Sequence, residues 1–171
     1  MASTDITRHT LSVLVQDVEG IISRVTGMFS RRGYNLISLV SAKTEVQGIN
    51  RLTIVVDAND IVTEQVTKQL NKLVHVLKVV ELDEETTISR AIMLVKVSAN
   101  NDNRAQVVGA VDIFRARVVD VAPESVVIEA TGTPGKLRAL LDVLEPFGIR
   151  ELIQSGRVAL GRGPKSMAPT K

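Results

Sequence analysis

Cysteine and tryptophan are absent from the 171-residue chain, and aromatic content is limited to one tyrosine and three phenylalanines. Without cysteine there are no disulfides, no thiolate metal sites and no cysteine nucleophile, and a cytoplasmic location fits. Hydrophobic residues still make up 44% of the chain, so a sizeable core is expected, built from aliphatic side chains. No apolar run approaches the roughly 20 residues that a membrane span requires. The opening residues MASTDITRH lack the apolar stretch of a secretory signal. Only two histidines are present, His9 and His75, and neither has a carboxylate or serine at a telling spacing. His75, between Val74 and Val76, reads as a strand-face residue rather than a base. No pair of acidic residues has metal-ligand spacing. GRGP at 161–164 is too short and too near the C-terminus for a dinucleotide loop, whose glycines must lie between a strand and a helix. No catalytic constellation assembles, and the residues predict neither a catalytic nor a metal site.

Charge is also scarce in the sense that matters for nucleic acids. The net charge is +2, yet residues 155–171 carry Arg157, Arg162, Lys165 and Lys171 with no acid, which leaves the rest of the chain at −2. A slightly acidic body is a poor electrostatic footprint for DNA or RNA. The tail GRGPKSMAPTK reads as a solvated, flexible terminus over 161–171.

What is present is a hydrophobic period that switches between two and 3.6. TLSVLVQ alternates, with Leu11, Val13 and Val15 on one face and Ser12, Leu14 and Gln16 on the other. IISRVTGMFSRR places Ile21, Ile22, Val25, Met28 and Phe29 on one helical face. NLISLVSAK and NRLTIVVDA are strand-like, DIVTEQVTKQLNKL is a second helix, and VHVLKVVEL is a fourth strand. The second half repeats the plan: RAIMLVKVSA, a helix in RAQVVGAVDIF, strands in RARVVDVA and SVVIEAT, and a helix in TPGKLRALLDVLE. In that last helix Thr133 is the expected N-cap and Pro134 opens the first turn. IRELIQSGRVAL is expected as one final strand. The predicted class is α+β, with two ferredoxin-like βαββαβ units in tandem over 8–83 and 84–160. Sheets covered by helices on one side leave a face and edges that need partners, so a homodimer or higher oligomer is expected.

One stretch stands apart, QDVEGIISRVTGMFSRRGYNL at residues 16–36. It joins strand to helix through DVEG, without the Lys and Ser/Thr of a phosphate loop. The first N–H groups of a helix lack intrahelical partners, and Gly20 permits close approach of a ligand. A carboxylate there gains from the helix dipole, Asp17 can take an ammonium group, and Asn35 offers both a donor and an acceptor. Those are the charges of an α-amino acid. An ordinary turn with Asp17 or Glu19 capping the helix uses the same residues, and residue chemistry alone favours it, since Asp and Gly are what turns prefer. Gly27, within the helix, marks either a close neighbour or a tolerated substitution at about 1 kcal/mol relative to alanine.

HTLSVLVQDVEGIISRVTGMFSRRGYNLISL resembles the opening of the small regulatory subunits of acetolactate synthase (acetohydroxyacid synthase), an ACT domain. The likeness continues through RLTIVV, QLNKLVHVLKV and RAIMLVKV, and through IFRARVVDVAPESVVIEATGTPGKLRALLDVLEPFGIRELIQSGRVAL. It covers nearly the whole chain. It implies a non-catalytic protein that activates a catalytic large subunit and confers feedback inhibition by valine or another branched-chain amino acid. It places thiamine diphosphate, magnesium and FAD in that partner and none in this chain. It implies effector sites between two ACT domains and carries effector roles onto Gly20, Ser23 and Asn35. Asp17 stands where some members have asparagine, and Ile21 replaces a smaller residue of some members. The competing expectation is a stand-alone amino-acid sensor acting on another enzyme or on transcription, although no helix-turn-helix segment lies outside the two units.

Overall fold

The computed structural model describes residues 5–169. Its elements run β1 (Thr7–Gln16), α1 (Ile21–Arg32), β2 (Asn35–Lys43), β3 (Ile49–Ala58), α2 (Asp60–Asn71), β4 (Val76–Leu82), β5 (Thr87–Ser98), α3 (Arg104–Ile113), β6 (Arg117–Ala122), β7 (Ser125–Gly132), α4 (Pro134–Leu144), β8 (Ile149–Gln154) and β9 (Val158–Gly161). Glycine punctuation explains the α1 boundaries. Gly20 and Gly33 both adopt left-handed backbone, at φ 79° and 65°, so the helix neither extends backwards nor runs on. At α4 the Thr133 hydroxyl accepts the Lys136 N–H and Pro134 occupies the first turn, as the sequence predicts.

The chain divides into two compact units. Unit 1 takes the residues up to Ile88 together with those from Arg157 onward, and unit 2 is Ser89–Gly156. In unit 1 the sheet order is β2-β3-β1-β4, and β1 pairs antiparallel with both β3 and β4. Leu11, Val13 and Val15 of β1 pack with Leu52, Ile54 and Val56 of β3, Val25 and Phe29 of α1, and Val66 and Leu70 of α2. Each such buried aliphatic or aromatic side chain contributes about 1.5–3 kcal/mol. Ile22, expected on the buried face of α1, is exposed. The alternate residues Thr10, Ser12, Leu14, Thr53 and Val55, on the face turned from the helices, are buried too, so the middle of that face is not open as expected.

Unit 2 orders its strands β6-β7-β5-β8, with a core of Met93, Val95 and Val97 against Val126, Ile128, Val107, Leu137, Leu140 and Leu144. The stretch expected as one last strand is two. Ser155 interrupts the strand without turning the chain away from β5, its N–H donating to Ile92 O at 2.9 Å and its hydroxyl accepting the Ile92 N–H at 3.0 Å. The Arg157 guanidinium then meets Glu84 at 3.6 Å, and β9 follows, pairing with β5 as β8 does, while the residues from Arg157 onward group with unit 1. From Arg162 to Pro169 no regular element forms, but the Arg162 N–H donates to Thr86 O at 2.7 Å and Met167 is half-buried. Thr170 and Lys171, the end of the expected tail, lie outside the described residues.

Candidate functional site

β1 ends where its backbone finds other partners. The Gln16 N–H donates to His75 O and the Asp17 N–H to Gly48 O, each at 2.9 Å, and the Val18 N–H folds back to Gln16 O at 3.0 Å. The chain then enters α1 through Gly20. The Ile21 N–H donates to Val18 O at 3.3 Å and the Arg24 N–H to Gly20 O at 3.0 Å. Between them, the N–H groups of Ile22 and Ser23 have no acceptor among the described residues. No side chain caps the helix, and its first turn holds no acid. The ordinary-cap alternative therefore fails: Asp17 and Glu19 are exposed beside the turn but leave the amides unfilled. A β-carbon on Gly20 would meet nothing within 4 Å, so the space over the turn is open and glycine is required there by φ alone.

The predicted residues divide. Asp17, Gly20 and Ser23 are exposed together at the turn. Ile21 is adjacent in the chain, but it is only 5% exposed and belongs to the core of unit 1 rather than to an open pocket. Asn35 is exposed but lies on the opposite rim of the sheet. It pairs with Asp57, whereas Val15 pairs with Asn50, seven positions along β3, or about 24 Å at 3.4 Å per residue. One chain does not bring Asn35 to the turn.

Sequence reasoning missed two neighbours of the turn. Gly48, at φ 81°, supplies the carbonyl that holds Asp17. His75 is not on a strand face: it sits in the turn before β4, and its Nδ1 lies 2.6 Å from Gln16 Oε1. That amide oxygen only accepts, so Nδ1 carries the hydrogen. The alternation of Val74 and Val76 around His75 was the misleading signal, since Val74 is 80% exposed. His9 is structural as well. Its Nδ1 faces Glu81 at 2.6 Å and its Nε2 faces Ala58 O at 3.1 Å, which ties β1 to both neighbouring strands.

Among the described residues no cluster of His, Cys, Asp or Glu gathers to hold a metal ion. Among them also, no helix is long and apolar enough to cross a membrane. The arrangement at the turn is suited to recognition: two unfilled amides at the positive end of a helix, with an exposed carboxylate beside them.

Comparison with known proteins gives two family matches: an AHAS small subunit-like ACT domain over residues 11–78, and the small subunit of acetolactate synthase over residues 90–163. The acetolactate synthase small subunit of Mycobacterium bovis is 56% identical over 163 residues, covering 95% of this chain and 97% of that protein. The corresponding protein of Mycolicibacterium smegmatis is 54% identical, covering 95% and 96%. The crystal structure of the acetolactate synthase small subunit from Thermotoga maritima matches with a TM-score of 0.87 at 34% identity, covering 94% of this chain and all of that one.

Proposed function

The chain belongs to the family of acetolactate synthase small subunits, and from that premise we propose that it is the regulatory, non-catalytic subunit of a cytoplasmic acetolactate synthase. It binds the catalytic large subunit and raises its turnover. A branched-chain amino acid, valine foremost, binds the small subunit and lowers that turnover. Thiamine diphosphate, magnesium and FAD belong to the catalytic partner.

The observation that supports effector binding is the uncapped start of α1. The effector carboxylate sits on the free amides of Ile22 and Ser23, where the helix dipole favours an anion. Asp17 takes the ammonium group. Asn35 comes from a second copy of the chain. β2 is an edge strand, so two copies of it can pair antiparallel about a two-fold axis. Antiparallel pairing sets the Asn35 end of one strand beside the Lys43 end of the other, and Lys43 pairs with Asn50 on the same rim as the effector turn. The remoteness of Asn35 within one chain thereby becomes a reason for a site between two copies.

Titration of the purified catalytic subunit with this protein tests the reading. Acetolactate formation rises with added small subunit and falls again on adding valine, with leucine and isoleucine run in parallel. Acetolactate formation by the small subunit alone, or no response of the catalytic subunit to it, overturns the proposal.

A further inference from the structure

A second feature of unit 1 is unrelated to the effector turn. A cavity of about 620 Å³ opens on the sheet face turned from the helices, with the segment after β9 as one wall. Arg51 and Lys78, both paired with Leu14, line its floor, and Arg162 and Lys165 line the wall. Among the described residues none of these four side chains has an ion-pair or hydrogen-bond partner. Three carboxylates also border the cavity. Glu81 faces His9 at 2.6 Å, Asp83 accepts the Glu85 N–H at 2.8 Å, and with Glu45 they set three negative charges against four positive ones, so the cavity keeps a net positive charge. The Thr87 hydroxyl, also in the lining, is buried with no hydrogen-bond partner. A buried hydroxyl is normally satisfied by a partner, and a cavity lined by four cations without protein partners favours an anion over a neutral ligand. Val80, Leu82, Leu160 and Met167 supply apolar surface in the same space. The volume lies within the range of small-molecule sites, and the mixture of apolar lining with a few convergent polar groups is their usual composition.

We propose that this cavity binds a small organic anion. Its carboxylate or phosphate oxygens lie against Arg51, Lys78, Arg162 and Lys165, and its carbon skeleton lies on the apolar side chains. Because two of the cations belong to the segment after β9, binding also holds that segment to the sheet. The site is separate from the turn that reads the amino acid, which opens at the N-terminus of α1 on the helix side.

The test uses the full chain and two probes that separate the sources of the anion: 2-oxobutyrate as the carboxylate and inorganic pyrophosphate as the phosphate. Valine serves as the zwitterion control. Isothermal titration is expected to show saturable binding of at least one anion, weakened about tenfold in Lys78→Gln, since one charge-assisted contact is lost. Lys165→Gln lies outside any regular element and is expected to weaken binding similarly with the fold intact. The same anion slows tryptic cleavage after Arg162 in the wild type but not in Lys78→Gln. Absence of saturable binding by either anion overturns the proposal. So does anion affinity unchanged in both variants, or affinity lost in Gly20→Asp, which would put the anion at the effector turn.

Discussion

Gly20→Asp separates regulation from folding and from activation. Left-handed backbone costs a residue with a β-carbon about 1–2 kcal/mol, with aspartate at the lower end. Gly20 sits at φ 79°, and nothing within 4 Å obstructs a β-carbon, so backbone strain is the whole steric penalty. A carboxylate at the helix start returns about 0.3–1 kcal/mol through the dipole. The variant is therefore expected to fold with little net loss of stability. The effector fares differently, because the new carboxylate lies over the amides of Ile22 and Ser23. Two like charges about 4 Å apart repel by about 4 kcal/mol at an effective dielectric near 20, and solvent and salt reduce this to about 2 kcal/mol at an open site. That corresponds to a loss of about thirtyfold in valine affinity. The assay is a valine inhibition curve on the reconstituted enzyme beside an activation curve, with activation retained. A folded Gly20→Asp subunit that keeps the wild-type inhibition curve refutes the placement of the effector. Mixed dimers probe the shared site. Asn35→Ala alone loses side-chain hydrogen bonds to a charged ligand, about tenfold in affinity. A dimer of one Gly20→Asp chain and one Asn35→Ala chain keeps one site built from two unaltered halves. It should therefore recover high-affinity valine binding at half stoichiometry. If it recovers none, each site lies within a single chain.

Gly27→Ala is expected to stabilise the protein by about 1 kcal/mol through helix propensity, raising Tm by several degrees in a thermal melt. The added methyl comes within 3.2 Å of Arg31 Nη1, the far end of a flexible side chain that can swing away. A fall in Tm together with loss of the proposed self-association in light scattering would instead place a second copy against that face. Arg115 is the only non-glycine residue at positive φ among those described, at 52° after α3. Arg115→Gly should relieve that strain and stabilise by about 0.5–1 kcal/mol in urea melts, and destabilisation would show that the arginine side chain does more than close the helix. The Arg8 guanidinium grips Asp57 with two hydrogen bonds, at 2.8 and 2.9 Å, and holds its carboxyl below the usual carboxylate range. A folded-state pKa below the unfolded one gives stability that is present above the unfolded value, near 3.9, and is lost as pH falls through the folded value. Arg8→Gln should flatten that acid-side decline in a series of denaturant melts, and an unchanged profile would assign the decline to other groups.

Elements bounded by local chemistry were readable from residues alone. Gly20 and Gly33 bracket α1, and Thr133 with Pro134 opens α4, because caps and left-handed glycines act within a few residues. What depends on register was not readable. That Asn35 leaves the turn follows from α1, whose 12 residues at about 1.5 Å each span about 18 Å, but its place opposite Asp57 is fixed only by the pairing of β2 with β3. Likewise Ser155, Gly156 and Arg157 are compatible with an uninterrupted strand. The break there is a short interruption at residues 155–157 beside β5, with which both β8 and β9 pair, and no residue type in it forbids a strand. The unfilled amides of Ile22 and Ser23 were anticipated as a property of helix starts, but the failure of Asp17 and Glu19 to fill them required side-chain positions.

The return of β9 to unit 1 affects how the protein is made. A ribosome delivers the first six elements, then all of Ser89–Gly156, and only then the residues from Arg157 onward that group with the first unit. At roughly 5–20 residues per second that interval lasts several seconds. The four-stranded sheet is contiguous in the chain and is free to form early. Arg51 and Lys78 then stay uncovered until Arg162 and Lys165 emerge from the exit tunnel. Unit 2, continuous in the chain, is free to fold within the same interval. A nascent chain released before Val158 therefore leaves β5 without its partner β9 and the cavity with only its sheet floor, whereas one translated beyond Lys165 carries both walls of the cationic cavity.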